Sequence, residues 1–130
     1  MYVRFVGEYV DERTGRTEGI FTISRILLDR GKLSHDDETE LKALRKWFDK
    51  HLPSPTKFSR KRNDYHRNTH GISWIKDNQR EVIKKLYEMK RILEHYGEPV
   101  RVINTERPGY IVYEDDYQVV AEAFNRETPN

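Results

Sequence analysis

The chain has 130 residues, of which 24 are Lys or Arg and 22 are Asp or Glu, giving a net charge of +2 with neutral histidines. That length fits one domain able to bury its own core, and the absence of cysteine excludes disulfides, thiolate catalysis, cysteine-ligated zinc and iron–sulfur clusters. Charged and hydrophobic residues each make up 35%, yet the hydrophobic ones recur at regular spacings, which predicts a folded and highly soluble chain rather than a disordered one.

Tyr2 to Val10 mixes aromatic and β-branched residues with Arg4 and Glu8, the pattern of a half-buried strand. Asp11 to Gly19 reads as a turn or loop punctuated by Gly15 and Gly19. From Ile20 the apolar residues Ile23, Ile26, Leu27 and Leu28 fall at helical spacing, and Gly31 supplies a stop. Ser34 with Asp37 three residues later resembles a capping box, and Asp36, Asp37 and Glu38 suit a helix N-terminus electrostatically. A second helix follows to about His51, with Leu41, Leu44, Trp47 and Phe48 on its apolar face, and Pro53 and Pro55 end it.

Pro53 to about Gly71 has no period of either kind and reads as a long loop, a length more often functional than merely connective. Ile75, Gln79, Val82, Leu86, Met89, Leu93 and Tyr96 then keep a three-four spacing, with Ile72, Ile83 and Ile92 widening the stripe and Gly97 closing it. This predicts a third helix of some 25 residues, with Glu81 and Lys85 at i, i+4 on its outer face. After Gly97 the period becomes two. Val100–Ile103, Tyr110–Glu114 and Tyr117–Phe124 read as an antiparallel meander, joined at Pro108-Gly109 and at Asp115-Asp116. The expected fold is therefore α+β: three or four antiparallel strands packed against about three helices, in a single domain over residues 1–124 with a flexible tail at 125–130.

Charge is concentrated in one place. Lys57 to His70 holds five Lys/Arg against a single acid, Asp64, so this stretch carries +4 and the rest of the chain sums to −2. In one reading Lys57, Arg60, Lys61, Arg62 and Arg67 neutralise phosphates while Phe58, Tyr65 or Trp74 offers a base a stacking surface. In a second they meet carboxylates on an acidic protein or nucleoprotein surface. In a third the stretch is a solvated loop that binds nothing. No RNP aromatic motif, KH loop, zinc finger or clear helix-turn-helix accompanies it.

His66 and His70 share a face if their stretch is helical, and Asp64 lies just ahead, a spacing that suits a divalent metal or a general acid–base pair. No Glu stands between them as in HExxH, so surface or hydrogen-bonding histidines are the simpler reading. Glu114, Asp115 and Asp116 at a strand reversal could hold Mg²⁺, but a turn wants Asp for conformational reasons alone. Gly15 and Gly19 belong to no Walker or dinucleotide fingerprint, no serine elbow occurs, and no cofactor is expected.

Two segments, GISWIKDN at Gly71–Asn78 and ERPGYIVYEDDYQVVAEAF at Glu106–Phe124, resemble those of a group of small bacterial proteins without an assigned activity, in which a helix opening with a Trp-containing motif precedes a similar hairpin. The resemblance covers the C-terminal half and lends no site. It implies a bacterial or mobile-element origin, and by analogy a phage-encoded inhibitor that occupies a partner's surface. The start Met1-Tyr-Val-Arg-Phe has no apolar signal region and no run approaches a membrane span, so a cytoplasmic protein without a membrane partner is expected. The leading expectation is a non-enzymatic binder of nucleic acid or an acidic surface. Its alternatives are a small hydrolase or nuclease using His66 and His70 with Asp115 or Asp116, and an inhibitor docking through apolar or aromatic surface.

Overall fold

The computed structural model describes residues 1–11, 16–52 and 71–122. Three helices and six strands occur among them, an α+β fold with one antiparallel sheet. β1 (Tyr2–Asp11) is its hub. β2 (Arg16–Gly19) pairs with the distal half of β1, so the expected loop over Asp11–Gly19 is corrected at its C-terminal end. The four residues RTEG carry no strand pattern of their own; pairing with β1 makes them one.

The chain passes from Gly19 directly into α1 (Ile20–Arg30), which stops where expected: Gly31 takes the left-handed conformation, φ 69°, and its N–H donates to the Leu28 carbonyl at 3.1 Å. Gly7 lets this helix approach the sheet, because a Cβ there would lie 2.6 Å from Ile23 Cγ1. α2 (His35–His51) begins as the sequence predicts, with Ser34 Oγ accepting from the Asp37 N–H at 3.1 Å. Arg45 ties the two helices by donating to the Phe21 carbonyl at 2.9 Å and to Ser24 Oγ.

The third helix is shorter than its apolar spacing predicts. α3 covers Arg80–His95, and Ile72–Lys76 is instead strand β3. Ile72 and Ile75 are spaced for a helix, but β3 hydrogen-bonds on both edges, to β1 and to β6 (Gln118–Glu122), which a helix turn there would forfeit. The expected stripe holds within α3 itself, where Val82, Leu86, Met89, Ile92 and Leu93 are buried.

The expected three-strand meander is also corrected. β5 (Tyr110–Glu114) pairs with β6, whereas β4 (Arg101–Thr105) pairs with β1 in the register Phe5↔Val102. Tyr2 and Val6 each have a partner on both edges, which places β4 along one side of β1 and β3 and β2 end to end along the other. The main path is thus β4-β1-β3-β6-β5. In a flat sheet Thr105 and Tyr110 would stand about 25 Å apart. The five steps of chain joining them span at most roughly 18 Å, so the sheet is strongly coiled.

Val3 and Phe5 of β1 and Ile75 of β3 join the helices in one core with Ile23, Leu27, Leu41, Leu44, Phe48, Leu86, Met89 and Leu93. By strand alternation Trp74 lies on the other face, opposite Val119 of β6. Val6, Val119 and Ala121 on that second face are exposed by no more than 1%. Among the described residues no helix is long and apolar enough to cross a membrane.

Candidate functional site

The sequence-predicted residues divide sharply by location. Lys57, Phe58, Arg60, Lys61, Arg62, Tyr65, Arg67, His66 and His70, together with the long loop assigned to 53–71 apart from Gly71, lie outside the described residues, as does the tail at 125–130. Trp74, Asp115 and Asp116 lie inside them, and so do the two elements flanking the basic stretch in sequence, the end of α2 and the start of β3.

Trp74 sits mid-strand in β3 rather than at a helix start, contrary to what the SWIK resemblance implies. Its ring is half-buried, and its indole Nε1 is buried without a hydrogen-bond partner. Lys76, two residues on and on the same face, pairs with Glu114 at 2.7 Å, and that carboxylate holds the ammonium pKa above its ordinary value.

Asp115 is committed to the turn between β5 and β6. Its Oδ1 accepts from the Tyr117 N–H at 2.8 Å and the Gln118 N–H at 3.0 Å; its Oδ2 accepts from the Tyr113 hydroxyl at 2.8 Å and the Gln118 amide at 3.2 Å. This bond to Asp115, with burial second, pushes the Tyr113 phenol pKa up. Four donors on one carboxylate are what the conformational reading of the acidic turn requires. Asp116 is exposed. No group of three or more His, Asp or Glu side chains suited to a metal occurs among the described residues.

The flank at the end of α2 is different in kind. Trp47, expected on the helix's apolar face, is only half-buried: its edge meets the buried Phe48 ring at 5.2 Å, and its face stacks on His51, centroids 4.4 Å apart and planes inclined by 23°. His51 is exposed, and its Nδ1 donates to the Trp47 carbonyl at 2.9 Å. Lys85 of α3 brings its ammonium to 5.5 Å from the Trp47 ring centroid. No ion pair joins Glu81 to Lys85, so the pairing expected from their spacing yields to the indole. Lys46 and Lys50 are exposed beside the rings, and Lys46 also lines a shallow groove with Leu28, Lys42, Ala43, Arg45 and Asp49. The i, i+4 spacing of Trp47 and His51 at the end of a helix, with Lys50 between them, is the signal that the sequence reading passed over.

A second polar cluster closes the fold elsewhere. Arg30 donates to Glu98 at 2.6 Å and to the Tyr9 hydroxyl, and Tyr9 donates to the same Glu98 oxygen at 3.3 Å. These contacts, Glu98 first, raise the Arg30 pKa further. The cluster joins β1, α1 and the segment after α3, and its donors and acceptors satisfy one another, so it acts as a tie. No family model, characterised protein sequence or solved structure matches the chain.

Proposed function

We propose that this chain is a non-enzymatic binding protein that holds a polyanionic partner, nucleic acid or an acidic protein or nucleoprotein surface, through the stretch Lys57–Arg67. The observation that carries the reading is the charge distribution: a +4 stretch in a chain whose remainder sums to −2. Such a concentration attracts polyanions through counterion release and Coulomb steering. The end of α2 supports it, since Lys46, Lys50 and the Lys85–Trp47–His51 stack add cations and rings on the element that precedes that stretch in sequence. The commitment of Asp115 to its turn argues against the form of the nuclease alternative that uses Asp115 with His66 and His70, and leaves the form that uses the exposed Asp116.

The test is binding of labelled nucleic acid and of an acidic protein across a salt series, comparing the parent with an Arg60, Lys61, Arg62 triple alanine variant. Affinity should fall steeply with salt and with the triple change. Binding that survives both sinks the reading.

The inhibitor alternative has one observation of its own. Ile111 on β5, the last strand of the sheet path among the described residues, is 45% exposed, and a strand at a sheet end can accept a partner's strand. Charge reversal at Arg60 and Arg62 would leave such docking intact, while Ile111→Asp would abolish it.

A further inference from the structure

Recognition of an unpaired nucleic-acid strand needs two things: cations along a ridge and a flat ring with an open face. The end of α2 supplies both. Trp47 and His51 form a two-ring stack, and the bond from His51 Nδ1 to the Trp47 carbonyl fixes the plane of the exposed imidazole. Beneath it the indole is anchored on the core ring Phe48, and Lys85 lies within cation–π distance. Lys46 and Lys50, one turn apart, form no ion pair among the described residues.

Asp49 and Glu81 are exposed on the same two helices, so net charge alone does not distinguish this surface; the oriented rings do. Six residues after His51, Lys57 opens the basic stretch.

We propose that His51, stacked on Trp47, is the platform for an unpaired base of a single-stranded nucleic acid whose phosphates run over Lys46 and Lys50. The ring stack is what favours a base. An acidic peptide gains from the cations but nothing from a flat imidazole face, and the bases of a duplex already stack on one another. The proposal rests on the polyanion-binding reading, and its test separates the two.

Fluorescence anisotropy of the full chain with labelled oligothymidylate, with the corresponding duplex and with poly-glutamate, each at low and high salt, and with unlabelled heparin as a competitor, gives the comparison. Single strand should bind more tightly than duplex or poly-glutamate. His51→Ala, at an exposed position, should weaken single-strand binding by about fivefold or more while leaving heparin competition for the remaining cations unchanged. In a Trp74→Phe chain the sole indole is Trp47, and oligothymidylate should quench its emission; quenching lost in the added His51→Ala change would locate the base. Equal binding of single strand and duplex, an unchanged affinity in His51→Ala, or poly-glutamate binding as tightly as oligothymidylate overturns the base platform but leaves the polyanion reading standing. Failure to bind any polyanion at low salt overturns both.

Discussion

The two ends of α2 are built from opposite principles. At its N-terminus three polar groups close on one another: Ser34 Oγ accepts from the Asp37 N–H, the Tyr96 hydroxyl donates to Asp37 Oδ2 at 2.7 Å, and that same hydroxyl accepts from the Ser34 N–H at 2.9 Å. At its C-terminus an exposed imidazole, a half-buried indole and two lysines face solvent without ion pairs among the described residues. A closed network that satisfies itself stabilises a fold, whereas an oriented but open array of rings and cations is what a ligand completes. The difference locates the helix's structural duty at one end and its candidate binding duty at the other.

That contrast can be broken by measuring what each residue contributes. Phe48, 3% exposed, belongs to the core beneath the open end, and Phe48→Ala should cost about 3–5 kcal/mol in urea unfolding. Trp47→Ala should cost less, about 2 kcal/mol, because its ring is only partly buried against the core. Equal costs for the two would make Trp47 an ordinary core residue and remove the platform. Ser34→Ala should cost about 1 kcal/mol by losing the cap, and it should leave binding at the opposite end unchanged.

The smallest effect sharpens the comparison through pH. Bonds from Tyr96 first and Ser34 next hold the Asp37 carboxyl below its ordinary pKa. A depressed folded pKa contributes stability that is fully present above the unfolded carboxylate value and is lost as pH falls through the folded one. In Tyr96→Phe the pKa should move back up, so unfolding free energy should fall less steeply on acidification below the ordinary carboxylate range. An unchanged acid limb would show that the Asp37 network does not couple to folding.

Helix ends and the stripe of α3 were legible in the sequence because they are local: a cap, a glycine stop and a 3.6-residue period act within one or two turns of chain. The strand at Ile72–Lys76 was not, since Ile72 and Ile75 suit either a helix or a strand until β1 and β6 claim the backbone hydrogen bonds. β2 was hidden for the same reason, its polar residues owing their conformation to the neighbouring strand. The pairing of β4 with β1 in place of β5 joins residues about a hundred positions apart, which no nearby spacing encodes. Of the candidate surface, the basic stretch was plain from charge alone, and Trp47 does pack against the core from the helix's apolar face, but that its ring is only partly covered was not legible, because helical spacing shows which residues share a face and not how far that face is covered.

The sequence by itself determined the α+β class, the capped start of α2, the buried face of α3 and the accumulation of charge at Lys57–Arg67, all properties of composition or of neighbours in the chain. Only the tertiary structure decided that six strands among the described residues share one sheet, that Asp115 is consumed by its own turn, and that Lys85 meets the Trp47–His51 stack. These depend on which distant segments compete for the same hydrogen bonds and the same ring faces, and that competition is settled only when the chain is packed.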